Sequence, residues 1–291
     1  MAGLAGAPGE GRGRADLPVR RGAAAKRTDA NMNTSETVLV TGASSGIGLE
    51  LAKCFAADKS NLILVARNLA ALENLATELR GEHKISVEVI GADLAQPESP
   101  QRIFDPLKGS GATVDVLVNN AGFGLHGAFA ELPLERQLEI IQVNNLALVA
   151  LTGLFLPGMI GRRRGGILNV GSVAGFLPGP CMAIYYASKA FVQSFSEALH
   201  EELRGTGVSV TNLCPGPTES NFSTVARSYQ TRELQAAKMS AAEVAAAGHR
   251  AFRANRCLCV PGIKNGILVQ LAKILPRAAV RKGVARYNKL K

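Results

Sequence analysis

Thr41-Gly42-Ala43-Ser44-Ser45-Gly46-Ile47-Gly48 is the stretch on which the reading of this chain turns. It follows the β-branched run Thr37 to Thr41 and leads into Leu49-Glu50-Leu51-Ala52, where helical periodicity runs from Ile47 to Ala57. Glycine lets the backbone turn tightly and a pyrophosphate approach, and the free amides of the next helical turn point at the anion. The spacing is G-x-x-x-G-x-G, not G-x-G-x-x-G, and no Gly-Lys-Ser/Thr ending marks a phosphate-hydrolysing loop. Strand, glycine turn and helix in this order predict a dinucleotide site. The bland alternative is glycines that serve only helix–strand packing.

Outward from that turn the same alternation repeats. Short apolar runs at Asn61 to Val65, Ser86 to Ile90, Val114 to Val118, Gly166 to Val170, Val208 to Asn212 and Cys257 to Val260 complete seven candidate strands. Helical patterns lie between them, notably Leu69 to Arg80, Leu134 to Leu156, Ala183 to Leu203 and Ala241 to Ala254. Strands separated by helices mean parallel pairing and a doubly wound, Rossmann-type α/β sheet flanked by helices. With 291 residues and 47% hydrophobic positions the chain can bury a large core, which excludes wholesale disorder.

The formal charge of +10 is unevenly spread. Residues 1–34 carry +3, residues 261–291 carry eight basic and no acidic groups, and the body from 35 to 260 is at −1. A near-neutral body argues against a nucleic-acid partner, whose phosphates would call for Lys and Arg on a folded face. Residues 1–34, rich in Gly, Ala and Arg with Pro8 and Pro18, read as a disordered basic leader, and Met32 is a candidate start of translation. Residues 35–260 then form the catalytic domain and 261–291 a basic, helical C-terminal extension. Cys54, Cys181, Cys214, Cys257 and Cys259 lack metal-ligand spacing and sit in apolar runs, as reduced core thiols do; no metal is expected. With no run of 18 uninterrupted apolar residues, the expectation is a soluble, cytoplasmic protein.

At the end of the second strand, Val65-Ala66-Arg67-Asn68 offers a small neutral residue and then a cation. A carboxylate there would grip both ribose hydroxyls of NAD, whereas Arg67 can hold a 2′-phosphate in bidentate fashion, so NADP(H) is preferred and NAD(H) stays open. Arg67 could also merely solvate a loop. Asp93-Leu94, after the third strand, sits where a carboxylate could accept the adenine amino group, or could cap the helix after Pro97.

Asn169-Val170-Gly171-Ser172 and Tyr185-Tyr186-Ala187-Ser188-Lys189 carry the chemistry. Tyr185 and Lys189, four apart on a helix, share a face, so the ammonium is expected to lower the phenol pKa toward neutrality and ready it for proton exchange with a carbonyl or alcohol oxygen. Ser172, at the carboxyl end of the fifth strand, can hydrogen-bond the same oxygen. Spacing alone does not exclude Tyr186, whose bland reading is a packing aromatic.

With Asn119-Asn120-Ala121-Gly122 after the fourth strand and Pro215-Gly216-Pro217-Thr218 after the sixth, these motifs resemble, in order, those of the short-chain dehydrogenase/reductase family over about residues 36 to 260. The resemblance implies NADP(H)-dependent interconversion of a carbonyl and a secondary alcohol. Tyr185 would be general acid/base, Lys189 would tune it and hold the nicotinamide ribose, and Ser172 would polarise the substrate oxygen. Asn144, or less readily its neighbour Asn145, would hold a proton-relay water. The cofactor would lie on Gly42, Ser44, Ser45, Gly46, Ile47, Gly48, Arg67, Asp93 and Leu94. Asn120, Ala121 and Gly122 would floor the adenosine ribose, with Pro215, Gly216 and Thr218 at the nicotinamide end. Relatives commonly pair through helices matching Leu134 to Leu156 and Ala183 to Leu203, implying a homodimer or homotetramer.

The substrate is expected to meet the loop Gly124 to Phe129, where His126 could touch it or simply be solvated, and a lid at Glu219 to Met239 with a short helix near Tyr229 to Lys238. The apolar helix from Gly266 to Leu275 and the cations after it are similar to extensions of relatives that reduce ketoacyl, steroid-like or other lipophilic carbonyls. It reads either as a flap over an apolar pocket or as an interfacial helix on anionic lipid. A redox-silent dinucleotide-binding regulator and a peripheral membrane protein are the alternative functions.

Overall fold

Seven strands run parallel in the order β3-β2-β1-β4-β5-β6-β7. They are β1 (Thr37–Thr41), β2 (Asn61–Ala66), β3 (Val87–Gly91), β4 (Val116–Asn119), β5 (Gly165–Val170), β6 (Val208–Leu213) and β7 (Leu258–Cys259). This computed structural model describes residues 36–219 and 238–288. The expected leader and most of the expected lid, including the helix near Tyr229 to Lys238, lie outside the described residues.

The central strands are apolar on both faces because helices cover both. One core joins Val38, Val40, Leu62 and Leu64 to α1 (Gly46–Ala57), α2 (Leu69–His83) and α7 (Ala241–Arg253). The other joins Leu39, Ile63, Leu117 and Ile167 to α3 (Ser99–Gly109) and α5 (Ala147–Arg162). In α2, Leu72, Leu75, Ala76 and Leu79 form the buried i, i+3, i+4, i+7 stripe, and Asn68 caps the helix by accepting from the Ala71 amide at 3.1 Å.

The helix expected at Leu134 to Leu156 is three pieces in one 29-residue run: α4 (Leu134–Ile141), a π-helical turn (Gln142–Leu146), and α5, which continues through Pro157 to Arg162. By length and composition this run is long and apolar enough to cross a bilayer, although half of that apolar window is buried inside the fold. Counting uninterrupted apolar residues passed over it, because Asn144 and Asn145 break the run. After α6 (Ala183–Glu202), β6 and α7, the chain ends in α8 (Ile263–Ile274) and α9 (Arg277–Tyr287), separated by Pro276.

The strand order reverses between β1 and β4, and the crevice beyond their carboxyl ends is where open α/β sheets bind ligands. The glycine turn and the Asn120 loop meet there.

Candidate active site

The nucleotide end is a turn locked from below. Gly42 sits at φ +66°, and a Cβ on Gly48 would stand 2.4 Å from the Gly42 carbonyl oxygen. Asn120 donates its side-chain amide to the Thr41 and Gly42 carbonyls at 2.9 and 3.2 Å, while the Asn120 and Ala121 amides donate to Thr41 Oγ1 at 3.0 and 3.1 Å. Ser45 caps α1 in extended backbone without a side-chain cap bond, and the first turn holds no acidic residue, so nothing negative competes for its amides.

Ser44, Ser45, Gly46 and Ile47 face a cavity of about 1840 Å³ that also takes in Arg67, Asp93, Leu94, Ala121, Gly122, Ser172, Tyr185, Lys189, Gly216 and Thr218. Most small-molecule pockets span ~300–1,000 Å³. This one has room for a dinucleotide and a second molecule. Gly48 lies behind the turn, outside the cavity wall.

Arg67 is exposed at the end of β2 and has no hydrogen-bond or ion-pair partner among the described residues. Asp93 does not cap α3, whose N-cap is Glu98; its carboxylate accepts from the Ala95 amide at 3.1 Å in a tight turn. Thr218 donates its hydroxyl to the Gly216 carbonyl at 2.9 Å.

At the other end Ser172 caps a short 3₁₀ helix, accepting from the Ala174 amide at 3.1 Å, and it hydrogen-bonds the Tyr185 phenol. Lys189 Nζ lies 5.9 Å from the Tyr185 ring centroid and donates to the Val170 carbonyl at 2.7 Å. Tyr185 is thus the tyrosine that stands beside both Ser172 and Lys189. Tyr186 stacks edge-on against it at 6.0 Å and hydrogen-bonds Asn288 instead.

The expected acidification of the phenol is absent. Burial pushes Tyr185 up to about 12, with the Ser172 bond pulling the other way, and burial brings Lys189 down to about 8. Desolvation outweighs attraction here, with the amine engaged on Val170 and not on the phenol oxygen. At neutral pH Tyr185 thus holds its proton and Lys189 its charge.

Asn144 is 2% exposed and does not reach the cavity. Its side chain accepts from the Phe123 amide and donates to the Phe123 carbonyl and Ser188 Oγ, which uses both amide hydrogens. Asn145 donates to the Ser188 carbonyl at 2.9 Å.

Sequence reading missed two features. Asn119, Asn169 and Asn212 stand in register on β4, β5 and β6. Asn119 donates to Asn169 Oδ1 and Thr152 Oγ1, Asn169 to Ser196 Oγ, and Asn212 to Gln193 Oε1, which ties the sheet to α5 and α6. Three asparagines at matching places in strands were the available signal. The other feature is Asn288, 6% exposed at the end of α9, which donates to the Pro180 carbonyl at 2.7 Å while its own carbonyl lies 3.0 Å from His126 Nε2. His126 is thus engaged by the end of α9, and α8 and α9 wall the cavity with Leu268, Ala272, Leu275, Val280 and Val284.

The family model for short chain dehydrogenases matches residues 36–231. A very-long-chain 3-oxoacyl-CoA reductase of Phaeosphaeria nodorum is 42% identical over 178 residues, 59% of this chain and 52% of that protein. The chain spans about half the length of that curated relative. Among solved structures, a short-chain dehydrogenase from Sphingobium yanoikuyae in complex with NADPH matches with a TM-score of 0.73 at 32% identity, covering 84% of this chain and 97% of that one. The bulky-bulky ketone specific alcohol dehydrogenase from Comamonas testosteroni matches at 0.70 and 30%, covering 88% and 95%.

Proposed function

This chain belongs to the short-chain dehydrogenase family, and from that premise we propose that it is an NADP(H)-dependent oxidoreductase interconverting a lipophilic ketone and its secondary alcohol. The observation that carries the reading is the Ser172–Tyr185 pair, with Lys189 beside it, facing a cavity walled by apolar α8 and α9 residues. A 3-oxoacyl thioester is the substrate class that best joins this cavity to the relatives' activity.

The nucleotide end fits a nicotinamide dinucleotide: the cradle behind Gly48 admits no Cβ, the first-turn amides of α1 lack a capping side chain, and Arg67 has no partner among the described residues. When bound, that group supplies or accepts the hydride. The chain's own residues handle the proton. In the reducing direction Ser172 and Tyr185 donate hydrogen bonds to the substrate oxygen, and Tyr185 passes its proton as negative charge develops there. A phenol held near 12 starts in the protonated form this step needs. The charged Lys189 stabilises the phenolate left behind.

A buried, charged lysine is a liability that a redox-silent dinucleotide-binding protein would not need. Homo-oligomer pairing is supported by apolar side chains exposed on the outer helices, Leu146, Val149, Ile160 and Phe191. The test is NADPH oxidation over aliphatic ketones, 3-oxoacyl thioesters, steroids, aldehydes and sugars, with NADH alongside. Tyr185→Phe is expected to keep NADPH affinity and lose at least about 10²-fold in turnover; near-normal turnover refutes the assignment.

A further inference from the structure

Helix α8 is apolar on two faces, and the fold accounts for only one. Val269 and Ala272 are buried at 3% and 7% exposure, and Leu268 and Leu275 reach the cavity. Farther round the helix Ile263, Ile274, Ile267 and Leu271 are 85%, 80%, 55% and 47% exposed; Ile263 and Leu271 also border the cavity, whereas Ile267 and Ile274 lie outside its lining. At 3.6 residues per turn these four fall within an arc of about 80°, so they form one continuous stripe. Lys264 borders that stripe on one side, and Lys273, its Nζ 5.6 Å from the Phe176 ring, lies about 80° beyond the other edge.

Charge decides what covers the stripe. Between 261 and 288 the chain holds six basic residues and no acidic one, in a protein whose body is close to neutral. Among the described residues none of the ion pairs involves Lys264, Arg277, Arg281, Lys282 or Arg286. A second copy laid on this face would set like charges against one another. An anionic bilayer satisfies the stripe and the charges together, since a short apolar helix flanked by cations settles in the headgroup region and each cation near the surface adds ~1 kcal/mol. At 12 residues α8 is too short to span.

We propose that the outer stripe of α8, with the exposed cations of α8 and α9, docks this protein in the plane of an anionic lipid surface. The same helix then faces lipid on one side and the cavity on the other, which places the mouth of the pocket at the membrane. This docking does not depend on which reaction the site performs.

The test is sedimentation of the full chain with vesicles of phosphatidylcholine alone and of phosphatidylcholine mixed in equal parts with phosphatidylglycerol. Two variants sit outside the cavity lining: Ile267→Ser/Ile274→Ser and Arg281→Gln/Lys282→Gln. The expected result is binding at least about tenfold stronger to the mixed vesicles, abolished near 1 M salt, where the screening length falls to ~3 Å. Each double variant should weaken it by at least about tenfold, with thermal unfolding and NADPH oxidation on a small soluble ketone unchanged. The proposal is overturned by wild-type binding that ignores lipid charge or is absent, or by variants that bind as tightly as wild type. It is equally overturned by a stripe variant that lowers the oligomeric mass and leaves lipid binding intact, since the stripe would then be a contact between copies.

Discussion

Replacing Lys189 by Met removes a charge that the fold holds at a loss. Burial lowers the amine from 10.5 to about 8, and at ~1.4 kcal/mol per pH unit the ammonium is about 3 kcal/mol worse off in the folded protein than in the unfolded chain. The change also forfeits the 2.7 Å charge-assisted bond to the buried Val170 carbonyl, ~1.5–3 kcal/mol. The two contributions nearly offset, so urea unfolding of the ligand-free protein at pH 7 should find the Met variant within about 2 kcal/mol of wild type while turnover is lost. The pH dependence has a definite sign. Because the folded value is depressed, the unfolded chain holds a proton that the folded one has released between about 8 and 10.5. Wild-type stability relative to the variant is thus flat below about pH 8 and climbs above it, shifting the balance toward wild type by about pH 10. A difference that stays constant from about pH 7 to 10 refutes the desolvated-lysine account.

Arg67→Gln should raise the Michaelis constant for NADPH about 5- to 30-fold, the worth of one partly solvated charge-assisted contact of ~1–2 kcal/mol, and leave NADH unchanged; equal effects on both cofactors exclude a 2′-phosphate contact. Gly48→Ala drives a methyl into the Gly42 carbonyl and the Asn120 amide, so it is expected to destabilise by ~1–3 kcal/mol and to eliminate NADPH fluorescence enhancement. Ala279→Trp, on the cavity-facing side of α9, should raise the Michaelis constant for long or bulky ketones at least about tenfold more than for small ones.

Much of the fold was legible because a parallel sheet buried on both faces leaves runs of Val, Leu and Ile that the glycine turn and the helices punctuate. Pro157 concealed the true end of α5: helix propensity stops at a proline, yet the helix tolerates the lost bond with its inner face, Leu151, Phe155 and Met159, packed in the core. Spacing pointed to Tyr185 and Lys189 as neighbours and the strand end to Ser172, and the structure places the three side by side. Spacing could not report their ionisation, which depends on burial. Nor could it show that Asn144 spends its amide on Phe123 and Ser188, because both partners are remote in sequence. The grip of Asn288 on Pro180 spans 108 positions and leaves no local trace.

The row of three asparagines beneath the crevice has a consequence for how such a protein can change. Gln193 and Ser196 sit on α6 within two turns of Lys189, so a slip of α6 by one residue, ~1.5 Å along and ~100° around, would break several directional bonds at once. The alignment of the phenol with the serine is inherited from a layer that never meets a ligand. Loops and terminal helices around the crevice are free to drift toward new molecules while the phenol and the serine stay aligned.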